Sequence, residues 1–310
     1  EEWLKESALV QLEYETKQAY YDTVLASAMV RVAEGSVRTF QRNLADAEQI
    51  LAVGRMSEFE VLRARTELGS REAGLVAARN AERLAFANLR RVLALPQHAA
   101  IALEPKLGWE PDMTPVEQWI DYAFAHRPEI LALEKAIQAA EQDVRRVQGQ
   151  FKPSVGGTVQ YQNTGKGGAA MADGWTFSIG GEWELYAGGR RKYEVAEAKA
   201  NLSGLEHQLE DLYRLVELDV TQAHIQLRDA MAKIRSERGT LDLGREGLRL
   251  AEVRFKEGAG TQSETLDAEL ALRAAESSLV QALRDYAVAN ASLERAVGKR
   301  WSRIGSPAEE

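Results

Sequence analysis

One internal repetition constrains this chain more than any other feature. VGRMSEFEVLRA (Val53–Ala64) and EGAGTQSETLDA (Glu257–Ala268) share a punctuation: Gly54 or Gly258, then Glu60 or Glu264, Leu62 or Leu266, and Ala64 or Ala268. Without a gap, the same register lays Gln18-Ala19 on Gln222-Ala223 and Ala26, Arg31 and Gly35 on Ala230, Arg235 and Gly239. It continues through Leu44 and Leu248, Leu68 and Leu272, Glu72 and Glu276, Leu75-Val76 and Leu279-Val280, and Leu89 and Leu293. Two helices rich in Ala, Leu and Glu resemble each other in texture, but texture does not align glycines; a constant register over this window is a tandem repeat.

Each copy reads as a long helix, a short turn and a second long helix. In the second copy the apolar residues run Leu202, Leu205, Leu209, Leu212, Val216, Val220, Ala223, Leu227, Ala230, Ile234, Leu241 and Leu248. Steps of three and four, with one extra four near Val216, make a heptad seam with a stutter. The pattern predicts one helix from Arg190 to Lys256, about 100 Å long at about 1.5 Å per residue. Many seam positions are Ala, which suits a bundle in which each helix has several neighbours. Gly54 and Gly258-Ala259-Gly260 end the rods, because glycine takes the left-handed C-cap conformation cheaply. Ser57 and Thr261 are placed to cap the next helix, with Glu60 and Glu264 at the reach-back position of a capping box.

Composition narrows the function. The formal net charge is −8, and no basic stripe exists to displace counterions from phosphates, so nucleic acid is not an expected partner. Cysteine is absent, which excludes disulfides, zinc–thiolate sites and thiol chemistry within these residues. His98, His126, His207 and His224 show no metal-ligand spacing. The glycines of Thr164–Gly168 lack phosphate-loop spacing, and no nucleophile stands out, so neither enzyme, cofactor nor metal is expected. No apolar run is long enough for a transmembrane helix. The opening EEWLKESALV lacks a basic region followed by an apolar one, so no signal peptide is expected in this numbering.

Between the repeats the texture changes. Leu95-Pro96 closes the first coil, residues 96–113 read as irregular, and a helix is predicted from Thr114-Pro115, interrupted at Arg127-Pro128. Two stretches then alternate with period two. Val155, Val159 and Tyr161 oppose Ser154, Thr158, Gln160 and Gln162; Trp175, Phe177, Ile179, Trp183 and Leu185 oppose Thr176, Ser178, Glu182 and Glu184. Period two means strands, and the Gly-rich Asn163–Gly174 joins them as a hairpin. About ten residues each is the length of a tilted membrane strand, with aromatics on the apolar side. One hairpin cannot close a barrel, so several copies or further strands are required.

The order of short motifs resembles the TolC-like outer-membrane efflux protein family. It comprises Leu95-Pro96, Arg127-Pro128-Glu129-Ile130, Lys152-Pro153-Ser154-Val155, Leu185-Tyr186-Ala187-Gly188-Gly189-Arg190, the glycine turn and Thr265-Leu266-Asp267-Ala268. The resemblance implies a mainly α fold with a small β part: antiparallel coiled-coil helices in two tandem repeats, with a hairpin contributing to a trimeric transmembrane β-barrel. It also implies a homotrimer in outer-membrane lipid, its helices in the periplasm, serving as exit duct for an inner-membrane transporter through a periplasmic adaptor. The chain then divides into 1–94 (first-repeat coils), 95–150 (connector and short helices), 151–188 (hairpin), 189–298 (second-repeat coils) and 299–310 (tail). Against the family pattern it begins inside the first long helix and shows one hairpin, so a first helix and hairpin are expected to be truncated or divergent.

By the same resemblance Glu264 and Asp267, one turn apart on one helix face, and Glu60 in the other tip line the pore. Arg63 and Arg55 are substitutes for a basic lock that the family carries in the second tip. Gly54, Arg55, Gly258, Gly260 and Ala268 are candidates for adaptor contact. Val155, Val159, Tyr161, Trp175, Phe177, Ile179, Trp183 and Leu185 are candidates to face lipid. Two other readings compete. A periplasmic adaptor would carry compact β-rich domains around one coiled hairpin, whereas two hairpins flank the strands here. A soluble scaffold leaves the alternating aromatics unused.

Overall fold

The computed structural model describes residues 2–104, 108–109, 114–164 and 172–298. The expected tail, 299–310, and the middle of the hairpin loop, 165–171, lie outside the described residues. The elements run α1 (Glu2–Ala52), α2 (Glu58–Val92), α3 (Val116–His126), α4 (Pro128–Gly149), β1 (Ser154–Thr164), β2 (Ala172–Glu182), α5 (Arg190–Lys256) and α6 (Gln262–Ala296). They form two compact units, one of Glu1–Arg127 with Val216–Glu310, the other of Pro128–Leu215.

The repetition read in the sequence is repeated in the backbone. At the first tip, Gly54 N–H donates to Leu51 O (2.8 Å) and Arg55 N–H to Ile50 O (3.0 Å); at the second, Gly258 N–H donates to Phe255 O (3.0 Å) and Ala259 N–H to Arg254 O (2.8 Å). Both glycines sit at φ +73°. This is the Schellman closure, in which a left-handed residue lets two orphan carbonyls of the last turn find donors. Ser57 Oγ then accepts from Glu60 N–H (3.3 Å) and Thr261 Oγ1 from Glu264 N–H (3.2 Å). The backward half of the expected capping box is absent from the described contacts: the Glu264 carboxylate lies 3.6 Å from Arg254 instead. The far ends match too. Leu93 and Val297 donate to Leu89 O and Leu293 O, and the left-handed residues that follow are Ala94 (φ 53°) and Gly298 (φ 72°). At Gly298 a Cβ would lie 3.3 Å from Arg127 Cα, whereas Ala94 carries its methyl and the left-handed strain with it.

In the first unit the helices pair within each repeat and then across repeats. Ala47, Val61 and Ala64 join α1 to α2, with Leu44 packed against them. Leu241, Leu272 and Ala275 join α5 to α6, with Leu248, the counterpart of Leu44, against them. The predicted seam of α5 is buried from Val216 through Val220, Ala223, Leu227, Ala230 and Ile234 to Leu241. Across repeats α1 packs on α6. There Lys17 pairs with Glu294, Arg284 Nε donates to Asp22 (2.7 Å), and Arg295 lies over the Tyr14 ring at 4.9 Å. Arg273 holds the almost fully buried Glu269 at 2.7 Å and Glu276 at 2.7 Å, with Nη1 3.6 Å from the place a Cβ would take at Gly35. Burial works against the charge of Arg273 and Arg284, but hydrogen bonds to Glu269 and Glu276, and to Asp22 and Asp285, win and raise both guanidinium pKa values.

In the second unit α4 packs on the first turns of α5 through Val144, Val147 and Ala198, and Tyr213 O–H donates to Glu134 (3.2 Å). β1 and β2 pair antiparallel from Ser154↔Glu182 to Thr164↔Ala172. The strands run further into the loop than the sequence pattern shows, β1 by two residues and β2 by three. β2 also stops at Glu182, so Trp183 and Leu185 lie beyond the strand and not in it. Trp183 Nε1–H donates to Phe151 O (3.2 Å) and closes the base of the hairpin.

Three outcomes are expected. Ser57→Ala and Thr261→Ala each lower stability by about 1 kcal/mol through loss of a cap, read as a drop in thermal midpoint. Ala94→Gly raises the midpoint, since releasing a left-handed alanine returns up to about 1 kcal/mol. Arg273→Met strands the buried Glu269 carboxylate and costs roughly 3 kcal/mol, whereas Arg273→Met combined with Glu269→Leu recovers most of that loss.

Candidate functional site

The tips concentrate most of the residues singled out in the sequence. Arg63 on α2 donates from Nη1 to Ser263 Oγ on α6 (3.0 Å), so the tips of the two repeats are joined within one chain. Arg254, in the last turn of α5, donates to Ala259 O (3.3 Å) and lies 3.6 Å from Glu264, clasping the second turn. Gly260 is not at positive φ, but it sits in a close approach: a Cβ would lie 3.0 Å from Arg254 Cβ and 3.2 Å from Phe255 N, so a side chain there needs the turn to give by a few tenths of an ångström. The three glycines therefore answer to two causes, backbone conformation at 54 and 258 and close approach at 260.

The carboxylates differ in surroundings. Asp267 and Glu264 are exposed, one turn apart on α6, and Glu264 shares its charge with Arg254. Glu60 is half-buried, Arg55 exposed beside Gly54, and Ala268 half-buried next to buried Glu269. Between α1, α5 and α6 at this end lies a cleft of about 410 Å³ lined by Asp46, Gln49, Ile50, Phe255, Thr265 and Leu266. Thr265 Oγ1 is shielded from solvent with no hydrogen-bond partner among the described residues. Ser263 and Arg254 escaped the sequence reading. Arg254 had a signal, a basic residue in the last helical turn; Ser263 had none, because its role depends on which helix faces it.

The second candidate surface is the hairpin. The register places Val159 opposite Phe177, Tyr161 opposite Trp175 and Gly157 opposite Ile179. Val155, Val159, Tyr161, Trp175, Phe177 and Ile179 thus share one face, and all six are exposed. The Tyr161 and Trp175 rings lie 4.9 Å apart. Thr158, Gln160, Thr176 and Ser178 take the other face. So apolar a face on an isolated hairpin marks a contact with something apolar. Leu185 and Trp183 are exposed at its base.

Two further features were not legible in advance. A groove of about 650 Å³, lined by Leu9, Leu12, Tyr20 and Tyr21 of α1, Leu89 and Leu93, and Ile101 and Leu103, runs beside the end of α2. Burial raises the pKa of the Tyr21 hydroxyl there, with Lys17 opposing and Glu294 adding. The connector is anchored by Trp109, whose ring lies 4.7 Å from the Arg238 guanidinium and 6.0 Å from that of Arg235 on α5. Among the described residues no cluster of three or more His, Cys, Asp or Glu side chains is placed to hold a metal. No described helix is long and apolar enough to cross a membrane.

The sequence profile described as "Outer membrane efflux protein" matches residues 119–299. The alkaline protease secretion protein AprF of Pseudomonas aeruginosa is 25% identical over 288 residues, covering 89% of this chain and 59% of AprF. The outer membrane efflux protein BepC of Brucella suis is 26% identical over 299 residues, covering 92% of this chain and 63% of BepC. The chain thus spans about three-fifths of the length of these curated relatives. The crystal structure of the outer membrane protein VceC from Vibrio cholerae superposes with a TM-score of 0.75 at 20% identity, covering 96% of this chain and 72% of that one. Duplicated helix pairs, a two-stranded sheet with an apolar face and the profile match agree, and this chain belongs to the outer membrane efflux protein family, the TolC-like proteins of the outer membrane.

Proposed function

We propose that this protein is the outer-membrane exit duct of a tripartite efflux pump or type I secretion system, a homotrimer that conducts substrates passively. The observation that carries this reading is the hairpin face. Six apolar side chains on paired strands of 11 residues each are exposed, with no core beneath them among the described residues. Tilted strands of that length cross a bilayer, and a hairpin with two open edges persists in hydrocarbon only when other strands close it. The duplicated helix pairs then form the periplasmic tunnel. Its tips meet a periplasmic adaptor through Gly54, Arg55, Gly258, Gly260 and Ala268, and the adaptor links the duct to an inner-membrane transporter. A periplasmic adaptor or a structural scaffold gives the apolar face no use.

In this reading the tips form the gate. Glu60, Arg63, Glu264 and Asp267 line the opening, and threefold repetition of Glu264 and Asp267 gathers carboxylates that favour cations. The bonds of Arg63 to Ser263 and of Arg254 across its turn hold the tips closed. Work is done elsewhere, by the transporter; the duct needs only a water-filled path and a reversible constriction.

Planar-bilayer recording tests the proposal. Discrete channels are expected from the purified protein, and their absence overturns the duct. Glu264→Ala with Asp267→Ala lowers cation selectivity; an unchanged reversal potential removes both from the pore. Arg63→Ala, which deletes a hydrogen bond worth about 1 kcal/mol in each copy, raises the open fraction severalfold and, by removing a cation from the lining, shifts selectivity further toward cations.

A further inference from the structure

We infer that the base of the hairpin binds the headgroups of anionic phospholipids, with Lys152 and Lys192 as the phosphate contacts and Tyr186 and Tyr193 at the water–lipid boundary. The inference rests on the reading of the hairpin's apolar face as lipid-facing and adds the lipid chemistry that its base selects.

Charge enters the hairpin only at its base. The strands hold no charged residue from Ser154 to Asn163 or from Gly174 to Gly181. Lys152 then stands just before β1, and Arg190-Arg191-Lys192, the only run of three basic residues in the chain, follows β2 at the start of α5. Aromatic side chains are interleaved with these cations. Phe151 and Trp183 keep the odd-numbered parity of the apolar face, and the Arg191 guanidinium lies 5.8 Å from the Phe151 ring. Tyr186 and Tyr193 are 87% and 74% exposed. A tyrosine with its ring in the open belongs where one end meets hydrocarbon and the other meets water.

The cations at the base divide into two kinds. Arg190 and Arg191 are answered within the chain: both donate to Glu184 (2.9 and 2.8 Å), and Arg190 donates also to Glu194 (2.8 Å). Lys152 and Lys192 are exposed, and neither pairs with an acid among the described residues. Lys192 also lies in the first turn of α5, which holds no acid, although the helix dipole favours anions at that end. The fold thus gains nothing from this lysine, and an anion supplied from outside offsets its cost. Lysine stems lie along apolar surface while the ammonium reaches the headgroup level. A zwitterionic headgroup brings its own cation beside the phosphate and competes with the lysine. An anionic headgroup does not, so two unanswered ammonium groups select it.

Native mass spectrometry of the protein released from micelles with equal amounts of phosphatidylglycerol and phosphatidylcholine tests the inference. Phosphatidylglycerol is expected to stay bound severalfold over phosphatidylcholine, and high salt before release is expected to weaken that preference. Lys152→Gln with Lys192→Gln is expected to remove most of it. Arg245→Gln with Arg249→Gln takes the same charge from exposed positions near the other end of α5 and is expected to leave it in place. A preference that survives the lysine pair, or that falls equally with the arginine pair, overturns the inference. So does displacement of phosphatidylglycerol by soluble glycerol phosphate at matching concentration, which would mark an anion site that needs no membrane. Bilayer recording separates this claim from the duct. Channels with no lipid preference overturn the headgroup site alone; a lipid preference without channels supports the site and removes the duct.

Discussion

Burial of apolar stripes along very long helices governs this protein. A helix gains most of its stability from packing one face, not from intrinsic propensity, and α5 has more than one such face. Its seam from Val216 to Leu241 is buried, while Leu218, Ile225 and Leu243 remain exposed on other sides. α2 is in the same position with Val76 and Leu84. α1 and α6 are not, because they cover each other. This contrast between covered and exposed faces sets α1 and α6 apart from α2 and α5.

Polar contacts choose the arrangement that burial makes favourable. Apolar stripes rich in alanine slide easily, since many registers bury similar area. The α1–α6 seam is fixed by charge pairs that cross it, Lys17 with Glu294 and Asp22 with Arg284. Displacement by one turn breaks both cross-helix pairs, and parting half-buried charges from their partners is costly. At the tips the same principle works in the open. Arg63 and Arg254 make exposed contacts, and exposed contacts of this kind are worth little individually. Such contacts suit the reversible gate proposed for these tips.

Much of the fold was legible because its signals are local. Glycine at positive φ, a hydroxyl three residues before a free amide and a heptad seam all act within one or two helical turns, so the boundaries of α5 and both tips follow from the residues alone. The errors lie where a partner decides. Trp183 continues the strand alternation, yet its indole bonds Phe151 O and the ladder stops before it. Glu264 fits a capping box, but Arg254 across the turn offers a full charge where the backbone N–H offers a dipole. Ser263 and Trp109 carried no signal at all, because each is defined by a residue distant in sequence.

The sequence by itself determined the elements: two copies of a helix pair, their matching turns and the alternating hairpin. These follow from periodicity and backbone stereochemistry, which are properties of short windows. Tertiary structure alone decided which helix faces which: that α1 rests on α6 while α2 and α5 keep apolar residues exposed on their other faces, that Arg63 reaches Ser263, and that Gly260 answers to the closeness of Arg254 and not to its own φ. Those choices depend on distances between residues far apart in the chain, and one-dimensional spacing carries no record of them.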